Sequence, residues 1–238
     1  MSTVKVNTIS TWTGNDISIE TGKTVSGTAS QFKMTDVVQG DVLYGSAADT
    51  LSRLAPGTSG QVLQTQGAGA NPQWGAGGLF SAYAAICDEK TAGSNGGTFT
   101  TGSWVTRDLN KTLFDTGSIV TISSNQFTLG AGSYLIKWSA PACQVNMHQT
   151  RLFDHAGVGA AIATGSPENA EATMAGYPAV DNKVSNRSIG VWRVSPSGSN
   201  TYSIEHYCSS TRADHGLGVG ANFGRPETFT IVEIFKES

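Results

Sequence analysis

Phe127–Cys143 reads FTLGAGSYLIKWSAPAC. Phe127 and Leu129, then after a Gly-Ala-Gly turn Tyr134, Ile136 and Trp138, share one face of an alternating pattern. Thr128, Leu135, Lys137 and Ser139 take the other face. That period of two is the mark of a half-buried strand. The aromatic and β-branched residues on the inner face suit a pleated surface packed on one side. Pro141 has no N–H to give a ladder, so the stretch should not run on past it as a central strand. The stretch predicts the central strand of a sandwich, and similar patterns predict strands at 118–123, 148–153, 187–194, 201–208 and 228–235. No stretch has the periodicity of a useful amphipathic helix.

The wider composition agrees. Charged residues make up 14% of the 238-residue chain, against about a quarter in an average globular domain. Its 29 glycines fit strands joined by tight turns better than helices laced with ion pairs. The net charge is −3, without a basic stripe that could neutralise a row of phosphates, so nucleic acid is excluded as a partner. The start, MSTVKVNTIS, lacks the basic-then-apolar run of a signal peptide, and no apolar run is long enough to insert in a membrane. Cys87, Cys143 and Cys208 are far apart, odd in number and in no C-x-x-C spacing. They predict buried free thiols rather than disulfides or a zinc site.

Residues 1–78 differ in texture from the rest. Short apolar groups (Val4, Val6 and Ile9; Ile17 and Ile19; Val42 and Leu43; Leu51 and Leu54; Val62 and Leu63) alternate with polar or glycine-containing turns. Each group could form one short strand, but together they are too sparse to bury a core within one chain. They also lack the charge excess of a disordered tail. Wrapping with copies of itself would bury these side chains, so the segment reads as an extended, β-rich trimeric shaft. Gly67–Gly78, GAGANPQWGAGG, reads as a hinge anchored by Trp74. Residues 79–238 read as one sandwich. In it Ser-Gly-Ser-Asn after Pro196 marks a hairpin between 187–194 and 201–208, and 165–186 is the longest irregular loop.

Candidate chemistry is thin. The carboxylate pairs Asp88 with Glu89 and Glu168 with Glu171 sit in small-residue loops without flanking aromatics, unlike the paired acids of a glycosidase. No G-x-S-x-G elbow occurs. Asp154-His155 and Asp214-His215 lack a serine in a nucleophile context and read as turns. Gly216, Gly218 and Gly220 read as tight backbone packing, since Phe223 stands where a dinucleotide loop needs its third glycine. His148, His155, His206 and His215 have no metal-ligand spacing, and His148 and His206 read as hydrogen-bonded structural residues. Arg151, Arg187 and Arg212 require partners if buried. No catalytic residue, metal site or cofactor is assigned.

Several runs carry a resemblance. Arg107-Asp108-Leu109-Asn110, Asn125-Gln126-Phe127, Gly132-Ser133-Tyr134, Ala140-Pro141-Ala142, His148-Gln149-Thr150-Arg151-Leu152 and Thr211-Arg212-Ala213-Asp214 resemble the C1q-like jelly-roll heads of bacteriophage tail fibres. Gly40-Asp41-Val42-Leu43-Tyr44-Gly45-Ser46-Ala47-Ala48-Asp49-Thr50-Leu51 and Gly60-Gln61-Val62-Leu63 are similar to a linker of virion fibres. The resemblance implies an all-β homotrimer at the virion surface, made and assembled in the bacterial host cytoplasm. Its shaft and hinge (1–78) would attach to other tail or baseplate proteins, and its jelly-roll head (79–238) would bind a host surface glycan or protein. The alternatives are a fibre-borne glycan hydrolase or deacetylase, and a purely structural baseplate or head-decoration fibre. Function in such scaffolds resides in loops, and the long loop carries Tyr177, Asp181, Asn182 and Lys183, a mixture suited to stacking on and bonding a sugar. These four are the expected receptor-binding residues.

Overall fold

A computed structural model of the chain describes residues 37–48, 50–171 and 183–238. Every regular element among them is a strand. They fall into two compact units, 37–59 with 63–74 and 60–62 with 75–238. Val42, Leu51 and Val62, each expected to nucleate a short strand, lie in β1 (Val42–Ala47), β2 (Thr50–Leu54) and β3 (Gln61–Gln64). β1 and β2 form an antiparallel hairpin, and Arg53 reaches Asp41 at 2.9 Å. β3 pairs with β4 (Gln73–Ala76). Part of the expected hinge is therefore a strand, and Trp74 donates its indole N–H to the Ala55 carbonyl at 2.7 Å. The apolar groups at Val4–Ile9 and Ile17–Ile19 lie outside the described residues.

The larger unit begins with β5 (Phe80–Lys90), β6 (Val105–Thr106), β7 (Lys111–Asp115), β8 (Val120–Ser123), β9 (Gln126–Leu129) and β10 (Tyr134–Cys143). It continues with β11 (Asn146–Asp154), β12 (Ala160–Ala170), β13 (Ser185–Val194), β14 (Asn200–Cys208) and β15 (Glu227–Glu237). One sheet runs β13-β10-β15-β5-β7 and the other β12-β11-β14-β9-β8, with β6 alongside β14. All pairings are antiparallel. From β9 to β15 the chain crosses repeatedly between the sheets, which is the winding of a jelly-roll sandwich.

Three expectations require correction. Phe127–Cys143 is two strands, not one. β9 lies in the second sheet and β10 in the first, because the Gly-Ala-Gly bend carries the chain across the sandwich. The alternation survives on both sides, since Phe127, Leu129, Tyr134, Ile136 and Trp138 are all buried. Pro141 does not end β10. Pairing with β15 stops at Ser139, while pairing with β13 continues to Cys143, so the proline sits where only one neighbour needs a donor. β13 and β14 are not a hairpin either. β13 pairs with β10 and β14 with β11, and the Pro196 turn joins opposite sheets.

The long loop is shorter than expected. Gly165–Ala170 belongs to β12, which pairs with β11 alone and as an edge strand accommodates Pro167. β8 and β9 form a hairpin at Asn125. Ser124 and Asn125 adopt φ of 52° and 63°, the left-handed pair that a two-residue turn between β8 and β9 demands.

The core has two characters. Around Trp138, Ile136, Phe127, Leu129, Leu152 and Ile204 it is apolar. Alongside lies a polar interior containing Arg107, His148, Thr150, Ser188, His206 and Thr230, all buried. Cys87, Cys143 and Cys208 are buried free thiols, and burial pushes Cys87 and Cys208 up to about 11.

Candidate functional site

The polar interior holds three hydrogen-bonded groups. Trp138 on β10 donates its indole N–H to Thr150 Oγ1 on β11 at 2.8 Å, bonding one sheet to the other. Thr150 Oγ1 also lies 2.8 Å from Ser188 Oγ on β13. His148 and His206 pair at 2.9 Å, and His148 Nε2 lies 2.6 Å from Asn186 Oδ1. Burial lowers the pKa of both rings, and for His206 the nearby Arg107 adds to the effect. Arg107 donates Nε–H to Thr230 Oγ1 and Nη2–H to the Leu217 carbonyl. Burial brings its guanidinium down to about 10. Every buried hydrogen bond named here serves another part of the sandwich, so the three groups are structural.

The other candidates disperse. Asp88 and Glu89 are successive residues of β5 and so face opposite sides. Asp88 is buried against Lys90 at 3.2 Å, and Glu89 reaches Lys111 at 3.3 Å. Glu168 lies on β12 and Glu171 just beyond it. Asp154 holds a turn by accepting from the backbone N–H of Ala156 and Gly157. His215 Nε2 accepts from Arg212 Nε–H at 2.9 Å and lies beside the Gln144 side-chain amide. Arg151 pairs with Glu205 at 2.6 Å and lies 4.1 Å over the Trp104 ring. Arg187 donates to the carbonyls of Ser139 and Phe229. A Cβ on Gly216, Gly218 or Gly220 would collide with neighbouring atoms, the close packing expected of that run. Of the expected receptor residues, Tyr177, Asp181 and Asn182 lie outside the described residues. Lys183 is exposed just before β13.

Sequence reasoning missed the outer face of the five-stranded sheet. Register aligns Val191, Lys137, Glu233, Ala85 and Phe114 in one row across all five strands, with Ile189, Ser139 and Ile231 beside it. Ile189 and Val191 are 58% and 55% exposed. Between them and Phe114 lies a depression of about 440 Å³ floored by Ser139, Ile231 and Ala85. The two central charges neutralise each other, Lys137 standing 3.6 Å from Glu233. Tyr83 also donates its hydroxyl to Glu233 at 2.8 Å, and burial together with that carboxylate pushes the phenol up to about 12. The alternate positions of β10, β13 and β15 carried the signal. A sequence cannot tell a strand's outward residues from those facing a second copy.

The sequence matches no family model and no curated protein. Among solved structures, murine APRIL at pH 5.0 is similar at 7% identity and a TM-score of 0.41, over 65% of this chain and 98% of that one. The globular domain of zebrafish complement 1qA protein is similar at 12% identity and a TM-score of 0.39, over 65% and 94%. The PRD1 vertex protein P5 is similar at 10% identity and a TM-score of 0.41, over 68% and 100%. The jelly-roll assignment rests on this chain's own strand order.

Proposed function

We propose that this chain is a non-enzymatic virion fibre protein that assembles as a homotrimer, attaches to the particle through residues 1–78 and contacts the host surface through its jelly-roll head. The observation that carries this reading is the outer face of the β13-β10-β15-β5-β7 sheet. Val191, Ile189 and Phe114, with the half-buried Ile231 between them, form an apolar surface with its central charges already paired, as a protein interface requires. Three heads joined there would bring three N-terminal segments together, where their sparse apolar groups could bury one another. The resemblance of Gly40–Leu51 and of the head motifs to phage fibres supports the same reading.

Such a device works by multivalency. One head binding weakly becomes, as three on a fibre and several fibres on a particle, a strong attachment through effective concentration. The separated carboxylates, Asp88 facing Lys90 and Glu89 facing Lys111, support binding rather than hydrolysis. Light scattering on the full chain at micromolar concentration should return three times its 24.8 kDa mass. A monomer mass overturns the reading.

A further inference from the structure

β12 and β13 are the edge strands of opposite sheets, and they are bonded to each other over the first part of β13, where Asn186 donates its Nδ2–H to the Asn169 carbonyl at 3.0 Å. Ser188 Oγ donates to the Ser166 carbonyl at 2.7 Å, and the Ile189 N–H donates to Ser166 Oγ at 3.1 Å. Toward the end of β13 a cleft of about 680 Å³ opens between them, walled by Ile162, Trp192 and the 195–199 turn, with Tyr202 among its lining. That volume lies within the range of about 300–1,000 Å³ typical of small-molecule sites.

Trp192 is the anomaly. It shares its alternation with Ser188, Gly190 and Val194, all of which are buried and face inward, yet it is 47% exposed. An inward-facing indole left open to solvent on a rigid strand offers a flat face to a ligand rather than filling the core.

The polar groups around it are partly committed and partly free to bond. Asn200 Nδ2 donates to Asp154 Oδ2 at 3.1 Å and to the hydroxyl oxygen of the buried Tyr202 at 2.9 Å, so these three side chains are committed to one another. The hydroxyls of Ser197 and Ser199 line the same cleft. Of the charged side chains on its wall, Arg193 is paired with Glu237, while the Asp154 side chain already accepts from the backbone of the turn and from Asn200. The cleft thus favours an uncharged ligand with many hydroxyls and disfavours an acid.

We propose that this cleft binds a neutral saccharide, with Trp192 stacking on the sugar ring and the 195–199 turn bonding its hydroxyls, while Asp154 and Asn200 hold that wall in place from behind. The site lies at the end of β13 opposite Lys183. It deepens the host-contact reading, resting on it only for the biological source of the sugar.

The test uses the full chain and a defined array of neutral hexose and N-acetylhexosamine oligosaccharides alongside uronic-acid-containing ones. The expected result is binding to neutral members over acidic ones. Trp192→Ala should weaken the best neutral ligand by about tenfold or more, and Trp192→Phe should restore most of the loss. The proposal is overturned if no neutral member binds, if Trp192→Ala binds as the parent does, or if iodide quenching shows Trp192 sealed off by another copy. Mass measured on the same samples keeps the two readings apart. A monomer that binds sugar sinks the trimeric fibre alone, and a trimer that binds none sinks the cleft alone.

Discussion

His148 Nδ1 lies 2.9 Å from His206 Nε2 inside the sandwich, and the surrounding bonds dictate which ring carries which proton. Asn186 Nδ2 donates to the Asn169 carbonyl at 3.0 Å, so its Oδ1 faces His148 and must accept from Nε2–H. His148 Nδ1 is then an acceptor and His206 Nε2–H the donor. His206 Nδ1 is left buried without a partner. A second proton on either ring has nowhere to go, since it would meet the other ring's N–H or stand unpaired beside Arg107.

Both folded-state pKa values therefore lie below the value of about 6.5 in the unfolded chain. The unfolded chain takes up protons first as the solution is acidified. Stability should be level above about pH 7 and fall below about pH 6.5, by at most about 1.4 kcal/mol per pH unit for each ring. Urea unfolding between pH 8 and pH 5 measures this. A flat profile would show that the pair does not titrate below its unfolded value in the fold.

Gly190 lies opposite Trp138 in the β10–β13 ladder, and a Cβ there would come within 1.9 Å of the indole ring. Because the same indole bonds Thr150 across the sandwich, it cannot move aside without breaking that bond. Gly190→Ala should cost about 1–3 kcal/mol, the range of overpacking in a close-packed core. The urea midpoint should drop with an unchanged slope. A midpoint equal to the parent's would mean the indole relocates freely.

Much of the sandwich was legible because a half-buried strand writes its burial into every second residue. Phe127, Leu129, Tyr134, Ile136 and Trp138 follow that rule, as do Phe229, Val232 and Ile234 around a bulge in β15. Pairing was not legible. A Gly-Ala-Gly bend and a Pro-Ser-Gly-Ser-Asn turn look alike whether they fold a hairpin or cross between sheets, and here both cross. Gly165–Ala170 read as loop for a related reason, since Pro167 is tolerated on an edge strand and edge status belongs to the assembled sheet. The histidine pair was anticipated as structural from its strand positions. The outer apolar face and the Trp192 cleft were not, because exposure of an inward-parity residue emerges only when two sheets diverge.

The proposed trimer has its own mutational test. Ile189 and Val191 lie on the exposed outer face of β13, where a carboxylate burdens the monomer little but faces desolvation in an interface. Ile189→Asp with Val191→Asp should convert the trimer to monomer at micromolar concentration while far-UV circular dichroism stays β-rich. Retention of the trimer would place the interface on another face.

Two sites now compete for contact with the host. Tyr177 and Asp181 represent the loop expected from sequence, and Trp192 represents the cleft. The substitutions Tyr177→Ala with Asp181→Ala, and separately Trp192→Ala, are each made in fibres carried on intact particles. Substitutions outside the packed core usually cost little, so the melting temperature should change little in either. Adsorption to host cells is the readout. Loss with Trp192→Ala alone assigns attachment to the cleft, and loss with the loop pair alone assigns it to the 165–186 segment. A partial loss in each, compounding when combined, is the outcome multivalency favours, since weakening any one contact lowers avidity on every head at once. If all variants adsorb as the parent does, neither site holds the receptor and the host-binding role fails.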